Sequence, residues 1–328
     1  MEPLRIVCIG GGTGLSALLH GLKAYAGESR QAEITAVVTV RDAGGSSGRL
    51  RRDFDVLPPG DIRSCMVALS EDEALLSRLF QYRFGAGRGL KGHSFGNLFL
   101  MALTHVMGDF ALAVRTSSEI LASRGRIYPA TARNVTLVAE LESGTLVRGE
   151  TRISRSRSRI RRIRLNPEHC EPLPETLEAI AGADLITLGP GSLFTSIVPN
   201  LLVDGIAEAI RQSPAIKASY INLMSQPGET SGFSAADHIA AIDDHAGACR
   251  TDVAIVNTGE ISEAMQKRYA AQRAHPVVND VDCIRELGVE VLGANLLSED
   301  EKIRHNSPAA AAIAMDLARR GRNRRQAQ

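Results

Sequence analysis

Tryptophan is absent from the 328 residues, and the aromatic side chains are limited to 5 Tyr and 8 Phe. Proteins that stack on exposed bases draw on such rings, so the shortage counts against nucleic-acid binding as the main activity. Net charge is nearly absent too: 38 Lys and Arg oppose 37 Asp and Glu. A balance of +1 supplies no long-range pull toward nucleic acid or an anionic membrane. The five cysteines, Cys8, Cys65, Cys170, Cys249 and Cys283, form no CxxC pair. That disfavours a disulfide framework or a zinc site and suits a reducing compartment. No uninterrupted apolar stretch is long enough to span a bilayer. The N-terminus has no basic region running into a long apolar core, so a cytoplasmic location is expected. With 44% hydrophobic residues, the chain can bury one large core or two modest ones.

Bare backbone, by contrast, is abundant near the start. "RIVCI" (Arg5 to Ile9) reads as a buried parallel strand, and "GGGTG" follows it. Leu15, Leu18, Leu19 and Leu22 then recur at helical spacing. Gly10, Gly11, Gly12 and Gly14 therefore occupy a strand-to-helix turn, with Thr13 and Ser16 adding hydroxyls. Such a turn lets a phosphate approach the amides at the positive end of a helix. It serves equally as a tight reversal without a ligand. It is not a Walker A loop, since no lysine follows the last glycine.

The scheme recurs. "ITAVVTV" (Ile34 to Val40) ends in Asp42, Gly44, Gly45, Ser46, Ser47 and Gly48. Leu185 to Leu188 leads into Gly189-Pro190-Gly191-Ser192, with a helix from Ile206 onward. "ASYINLM" leads to "SQPGET", "DVAIVN" ends in polar residues, and "GVEVLGANL" reads as a last strand. Strands alternating with helices predict an α/β fold with a parallel sheet. In such sheets ligands gather at the carboxyl ends of the strands. Several polar, glycine-bearing loops on that edge point to an anionic, nucleotide-like ligand.

Between these repeats lies a different texture. Pro58-Pro59-Gly60 precedes a helix that Asp61 is expected to cap, with Arg63 on its first turn. His93, Ser94 and Asn97 stand at the start of an apolar helix, with His93 and Asn97 sharing a face. There His93 serves either as a base or phosphate donor, or as a capping and packing residue. "NVTLVAELESGTLVRGETRI" alternates around Ser143-Gly144, a hairpin signal. Seven arginines follow between Arg152 and Arg164, with no aromatic residue among them. They read as a charged strand edge rather than a nucleic-acid patch. The basic stretch "ARRGRNRRQAQ" is expected to be a disordered tail over about 319–328.

"GGGTGLS", "GGSSGRLR", "PPGDIR", "GHSFGNLFL", "PAT", "GPGSLFTSIVPNLLVDGIAEAI", "QPGET" and "RH" occur in this order from Ile6 to about Ala318. Together they resemble the YvcK-type gluconeogenesis factors, a branch of the superfamily of 2-phospho-L-lactate transferase (CofD-like). The resemblance implies a single Rossmann-like domain over 1–328, with helices on both faces of the sheet and a β-rich segment inserted at about 133–166. It also implies a ligand, a uridine diphosphate sugar such as UDP-N-acetylglucosamine. The role it implies is regulatory, linked to central carbon metabolism, peptidoglycan synthesis and cell shape. A protein partner that reads the liganded state, and a homo-oligomer, are compatible with that role. Gly10, Gly11, Gly12, Thr13 and Gly14 match the family's diphosphate loop. Gly189, Gly191 and Ser192 match its second glycine turn. Asn222, Gln226, Gly228, Glu229 and Thr230 match the stretch that walls the nucleotide pocket, Asn222 and Glu229 being the choices for base or ribose. Tyr269 and Arg304 match positions that hold the sugar end.

The transferase branch differs in using a divalent metal, magnesium for instance, and a nucleoside diphosphate-linked donor. On that alternative Asp42 holds the metal, His93 and Asn97 position the acceptor, and Arg63 stabilises the transferred phosphate. The family usually has two successive aspartates here, whereas this chain reads Arg41-Asp42-Ala43. One carboxylate beside an arginine holds a divalent ion less well than two. Diphosphate binding by amides and arginines does not depend on it.

Overall fold

The computed structural model describes residues 2–27, 31–39, 45–54, 56–70, 75–156, 158–247 and 251–327. Asp42, the candidate metal residue, lies outside them, as do Arg157 and Cys249. In chain order the strands are β1 (Leu4–Gly10), β2 (Ala32–Val38), β3 (Arg126–Pro129), β4 (Thr136–Leu141), β5 (Leu146–Arg148) and β6 (Ile160–Asn166). There follow β7 (Leu185–Leu188), β8 (Ile216–Tyr220), β9 (Val253–Asn257), β10 (Glu290–Ala294), β11 (Leu297–Glu299) and β12 (Ile303–His305).

Seven of these strands build one sheet in the order β10-β9-β8-β7-β1-β2-β3. Every pairing in it is parallel. The chain fills the β2 and β3 side first, then returns to the other flank of β1 with β7. The strand order therefore reverses between β1 and β7, and their carboxyl ends splay into a crevice there. Strand β3, in "RIYP", carries no long apolar run and is missed by periodicity alone.

Alternation along β1 sorts its side chains onto two faces. Ile6 and Cys8 pack with Leu15, Leu18, Leu19 and Leu22 of α1 (Gly12–Ala26). Val7 and Ile9 pack on the opposite face with the small insert. The insert is an antiparallel sheet in the order β5-β4-β6, whose Leu137, Ala139, Ile163 and Leu165 point into that second core. The expected hairpin turns at Ser143-Gly144, where Gly144 has φ +77°.

After β2 come α2 (Gly45–Phe54), α3 (Gly60–Leu69), α4 (Leu75–Gln81), α5 (Phe95–Met107) and α6 (Phe110–Ile120). Asp61 is not the cap of α3: Pro59 holds that position and Asp61 lies in the first turn.

The expected disordered tail is also corrected. A C-terminal helix runs from Ser307 to Gln326. Asn306 caps it by accepting from the Ala309 N–H. At one end the carbonyl of Ser307 would stand only 2.1 Å from a Cβ on Gly21 of α1. At the other, Arg322 donates from Nε and an Nη to the carboxylate of Asp184 at 2.9 and 2.6 Å. Arg325 adds a contact of 3.0 Å. Order here comes from a partner far away in the sequence. Among the described residues no single helix is long and apolar enough to cross a membrane.

Candidate functional site

A cavity of about 560 Å3 opens over the carboxyl ends of β1, β7 and β8. Its floor is the "GGGTG" turn. Gly11 is extended, Gly12 has φ +66°, and α1 starts with no side-chain cap. Its first amides consequently have no competing acceptor from a capping residue, and Gly11, Gly12, Thr13 and Gly14 line the cavity. The carbonyl of Gly10 is turned inward, accepting from Thr39 N–H and the Asn200 side-chain amide at 3.0 and 3.1 Å. The hydroxyl of Ser16 donates back to Gly12 O.

The glycines also serve the protein itself. A Cβ on Gly14 would lie 2.6 Å from Pro190 O, and one on Gly191 would lie 3.2 Å from Gly11 O. The two turns pack backbone against backbone, so part of the glycine content is a packing requirement. Gly191 and Ser192 line the cavity, while Gly189, at φ +82°, lies beneath it and donates its N–H to Ile9 O. Beyond Ser192 the chain makes a π-helical turn over Leu193–Ile197 instead of a plain loop. Ser196 N–H and Ile197 N–H both donate to Ser192 O, and Ser196 thereby reaches the cavity wall. A π-turn leaves little trace in periodicity, so nothing local marks Ser196.

The "NLMSQPGET" loop divides. Asn222 and Gln226 line the cavity, and Gln226 Nε2 donates to the Ser192 hydroxyl at 2.9 Å. Gly228, Glu229 and Thr230 do not. Thr230 is buried and its hydroxyl accepts from Gln226 N–H. Glu229 is 5% exposed, and its carboxylate accepts from the hydroxyls of Thr195 and Ser154. A Cβ on Gly228 would meet Ser154 O at 2.4 Å. These residues dock the loop onto the insert, and Glu229, expected at the base or ribose, does not line the cavity. The pattern "GET" cannot reveal this, because the residues that claim Glu229 lie in other segments.

Tyr269 and Arg304 both reach the far wall. The Tyr269 hydroxyl accepts from Ile303 N–H at 3.0 Å, which fixes the ring. His305 stands beside Arg304. Burial pulls its imidazole down to about 4, so at neutral pH it is uncharged and donates from Nε2 to Ile221 O. Gln272 and Ser225 complete the polar part of the wall; Ser225 opens the "SQPGET" loop, whereas no motif marks Gln272.

The residues of the transferase alternative form a separate cluster. His93 Nδ1 lies 3.0 Å from the Ser46 hydroxyl. Asn97 donates to the hydroxyls of Ser46 and Ser47 at 3.2 and 3.1 Å and accepts from Arg63 Nε at 3.1 Å. Ser94 caps α5. Burial, reinforced by Arg49, lowers the affinity of His93 for a proton. Burial, then Arg83, does the same for Arg63. The cluster adjoins the glycine turn through α3: a Cβ on Gly60 would lie 2.7 Å from the Ser47 hydroxyl, and one on Gly11 would lie 2.7 Å from Asp61. Among the described residues no group of three or more His, Cys, Asp or Glu converges on a metal position.

A sequence profile described as "2-phospho-L-lactate transferase CofD" matches residues 6–297. The chain belongs to the CofD family. Within it, this CofD-family protein is similar to the gluconeogenesis factor of Halalkalibacterium halodurans, 48% identical over 308 residues that cover 94% of each chain. The gluconeogenesis factor of Bacillus subtilis is 45% identical over 314 residues, covering 95% of this chain and 98% of that one. A crystal structure of a Bacillus halodurans protein superimposes with a TM-score of 0.91 at 46% identity, covering 96% of this chain and 99% of that one.

Proposed function

We propose that this CofD-family protein binds a nucleoside diphosphate sugar, with UDP-N-acetylglucosamine as the first candidate. Its role is regulatory, in central carbon metabolism as the name of its gluconeogenesis factor relatives suggests, and in peptidoglycan synthesis and cell shape. A partner protein reads the liganded state. One observation carries the binding reading. At the reversal point of the sheet, a single cavity joins the uncapped start of α1 to a wall holding Tyr269 and Arg304. The first end suits a diphosphate, and the guanidinium with the aromatic ring suits the groups attached to it.

Thermal unfolding with UDP-N-acetylglucosamine, UDP-glucose, UDP, GDP and GTP, each with and without magnesium, tests the reading. Stabilisation that grows with concentration of the uridine compounds supports it. A gain with GDP plus magnesium and none with uridine compounds overturns it. That second outcome belongs to a metal-dependent transferase of the 2-phospho-L-lactate kind, favoured by the His93, Asn97 and Arg63 cluster beside the glycine turn. There catalysis would rest on positioning and charge stabilisation of the transferred group.

A further inference from the structure

The small insert differs in charge from the rest of the chain. Residues 133–166 carry nine arginines and three glutamates, leaving 29 basic against 34 acidic residues elsewhere. Soluble surfaces ordinarily intersperse the two signs. Here they are segregated, as a cationic module on an anionic body.

Strand register gathers part of this charge on one surface. Across β5-β4-β6, Arg148, Val138 and Arg164 form one row, and Leu146, Glu140 and Arg162 form the next. Paired residues share a face. The opposite face fills the second core through Leu137, Ala139, Ile163 and Leu165, so the arginine rows look outward. The single carboxylate among them, Glu140, meets Arg161 and Arg164 at 3.3 and 3.6 Å. Arg133, Arg148, Arg152, Arg155, Arg159 and Arg162 are exposed, and their side chains make no hydrogen bond or ion pair among the described residues.

Glu140 thus samples what these guanidiniums take. We infer that the outer face of the insert docks an acidic segment of a partner protein, whose carboxylates pair with Arg148, Arg162 and Arg164 and compete with Glu140. Other occupants fit less well. Residues 133–166 contain no aromatic side chain on which bases could stack. Val138 and Leu146 are too little apolar surface to enter a bilayer. A second copy seated face to face would set arginine against arginine. The insert also touches the crevice: Ser154 donates to Glu229 at 3.2 Å, on the loop whose Gln226 lines the cavity. The inference rests on the regulatory reading above for its purpose, whereas the docking itself needs no nucleotide.

Fluorescence anisotropy of the full chain with a labelled poly-glutamate of about 20 residues, in about 0.15 M salt, tests it. Combining Arg148→Ala, Arg162→Ala and Arg164→Ala should weaken the probe about tenfold, the sum of three exposed ion pairs. Glu140→Gln, which frees Arg161 and Arg164, should tighten it about threefold. Combining Arg52→Ala, Arg88→Ala and Arg319→Ala, all exposed and outside the insert, should leave affinity within about twofold of the parent. Arg148→Lys with Arg162→Lys and Arg164→Lys keeps the charge without the planar fork and should give an intermediate affinity. It replaces the alanine variant if a melting curve shows that the latter folds poorly. Equal weakening by the two alanine variants overturns the inference, as does a parent chain that leaves the probe free. Tighter binding of an oligothymidylate or of phosphatidylserine vesicles, lost in the same insert variant, overturns it in favour of nucleic acid or a membrane. The assay contains no nucleotide, so its failure leaves the nucleotide-sugar reading standing.

Discussion

The arginines of the insert and those of the C-terminal helix meet counter-charges in different settings. In the insert, Arg161 and Arg164 reach Glu140 at 3.3 and 3.6 Å, with the arginine side chains 72% and 52% exposed. In the C-terminal helix, Arg322 and Arg325 reach Asp184, whose side chain is fully buried. Asp184 also accepts from Arg5 N–H at 2.8 Å. Burial pushes its carboxyl toward the neutral form, but the Arg322 hydrogen bonds, the Arg5 N–H and the two guanidinium charges outweigh that and hold it below the usual range. Both stretches look alike as strings of letters. What separates them is whether the acid they reach has been taken out of water.

Breaking the buried side of the comparison should produce the largest effect. Asp184→Ala leaves Arg322 and Arg325, 13% and 22% exposed, without their buried counter-ion. A loss of about 3–5 kcal/mol is expected in urea or thermal unfolding. A loss below about 1 kcal/mol would put the two arginine groups in one class and remove the distinction drawn here.

A second test leaves the charges alone and attacks the seat of the helix. A Cβ on Gly321 would lie 1.9 Å from Asp184 O, a backbone atom that cannot step aside. Gly321→Ala should therefore cost about 2–3 kcal/mol by forcing the helix away from β7. That is opposite in sign to the gain in helix propensity expected of the same change on an exposed helix. A neutral or stabilising result would mean that residues 319–326 are seated loosely.

These two tests show why the sequence yields some of this molecule and not the rest. Strands β1, β7 and β9 are legible because a buried parallel strand is a short run of branched apolar residues that stops at a polar turn. The floor of the site is legible for the same reason, since the turn follows the run. The helix over 319–326 is not, because its counter-ion lies 138 residues away and nothing local marks Asp184 as buried. Glu229 fails similarly: Thr195 and Ser154, which take its carboxylate, belong to the π-turn and the insert. Glycine is legible as a need for bare backbone, but not as to whose need. Gly12 serves its φ, Gly14 the Pro190 backbone, and Gly228 the insert. Local grammar fixes what is local, and long-range burial decides the remainder.

The opposite end of the C-terminal helix provides a titration. His305 precedes its cap, Tyr220 below it donates to Ala310 O at 2.7 Å, and burial pulls the His305 imidazole to about 4. Against an unfolded value near 6.5, the folded state binds fewer protons between these limits. Stability should therefore rise with pH through that window, being fully present above about 6.5 and lost as the pH falls toward 4. Burial lowers His93, His238 and His245 in the same direction. His305→Asn should remove about 1–2 kcal/mol of the difference between pH 7 and pH 4.5, with the residual slope left to the remaining groups. An unchanged slope would mean that His305 stays wet.

The smallest effect is expected where the opening comparison places the solvated charges. Arg161→Ala with Arg164→Ala strips both partners from Glu140, which lies on β4 and is itself 24% exposed. The inward residues of β6, Ile160, Ile163 and Leu165, are untouched by the change. Exposed ion pairs of this kind contribute about 0.2–1 kcal/mol each and weaken with salt. The double variant should thus unfold within about 1 kcal/mol of the parent, and the gap should shrink further in 0.5 M salt. A loss above about 2 kcal/mol that persists at high salt would mean that these arginines pack as well as repel. The insert would then be held to the parallel sheet from its outer face as well as from its core.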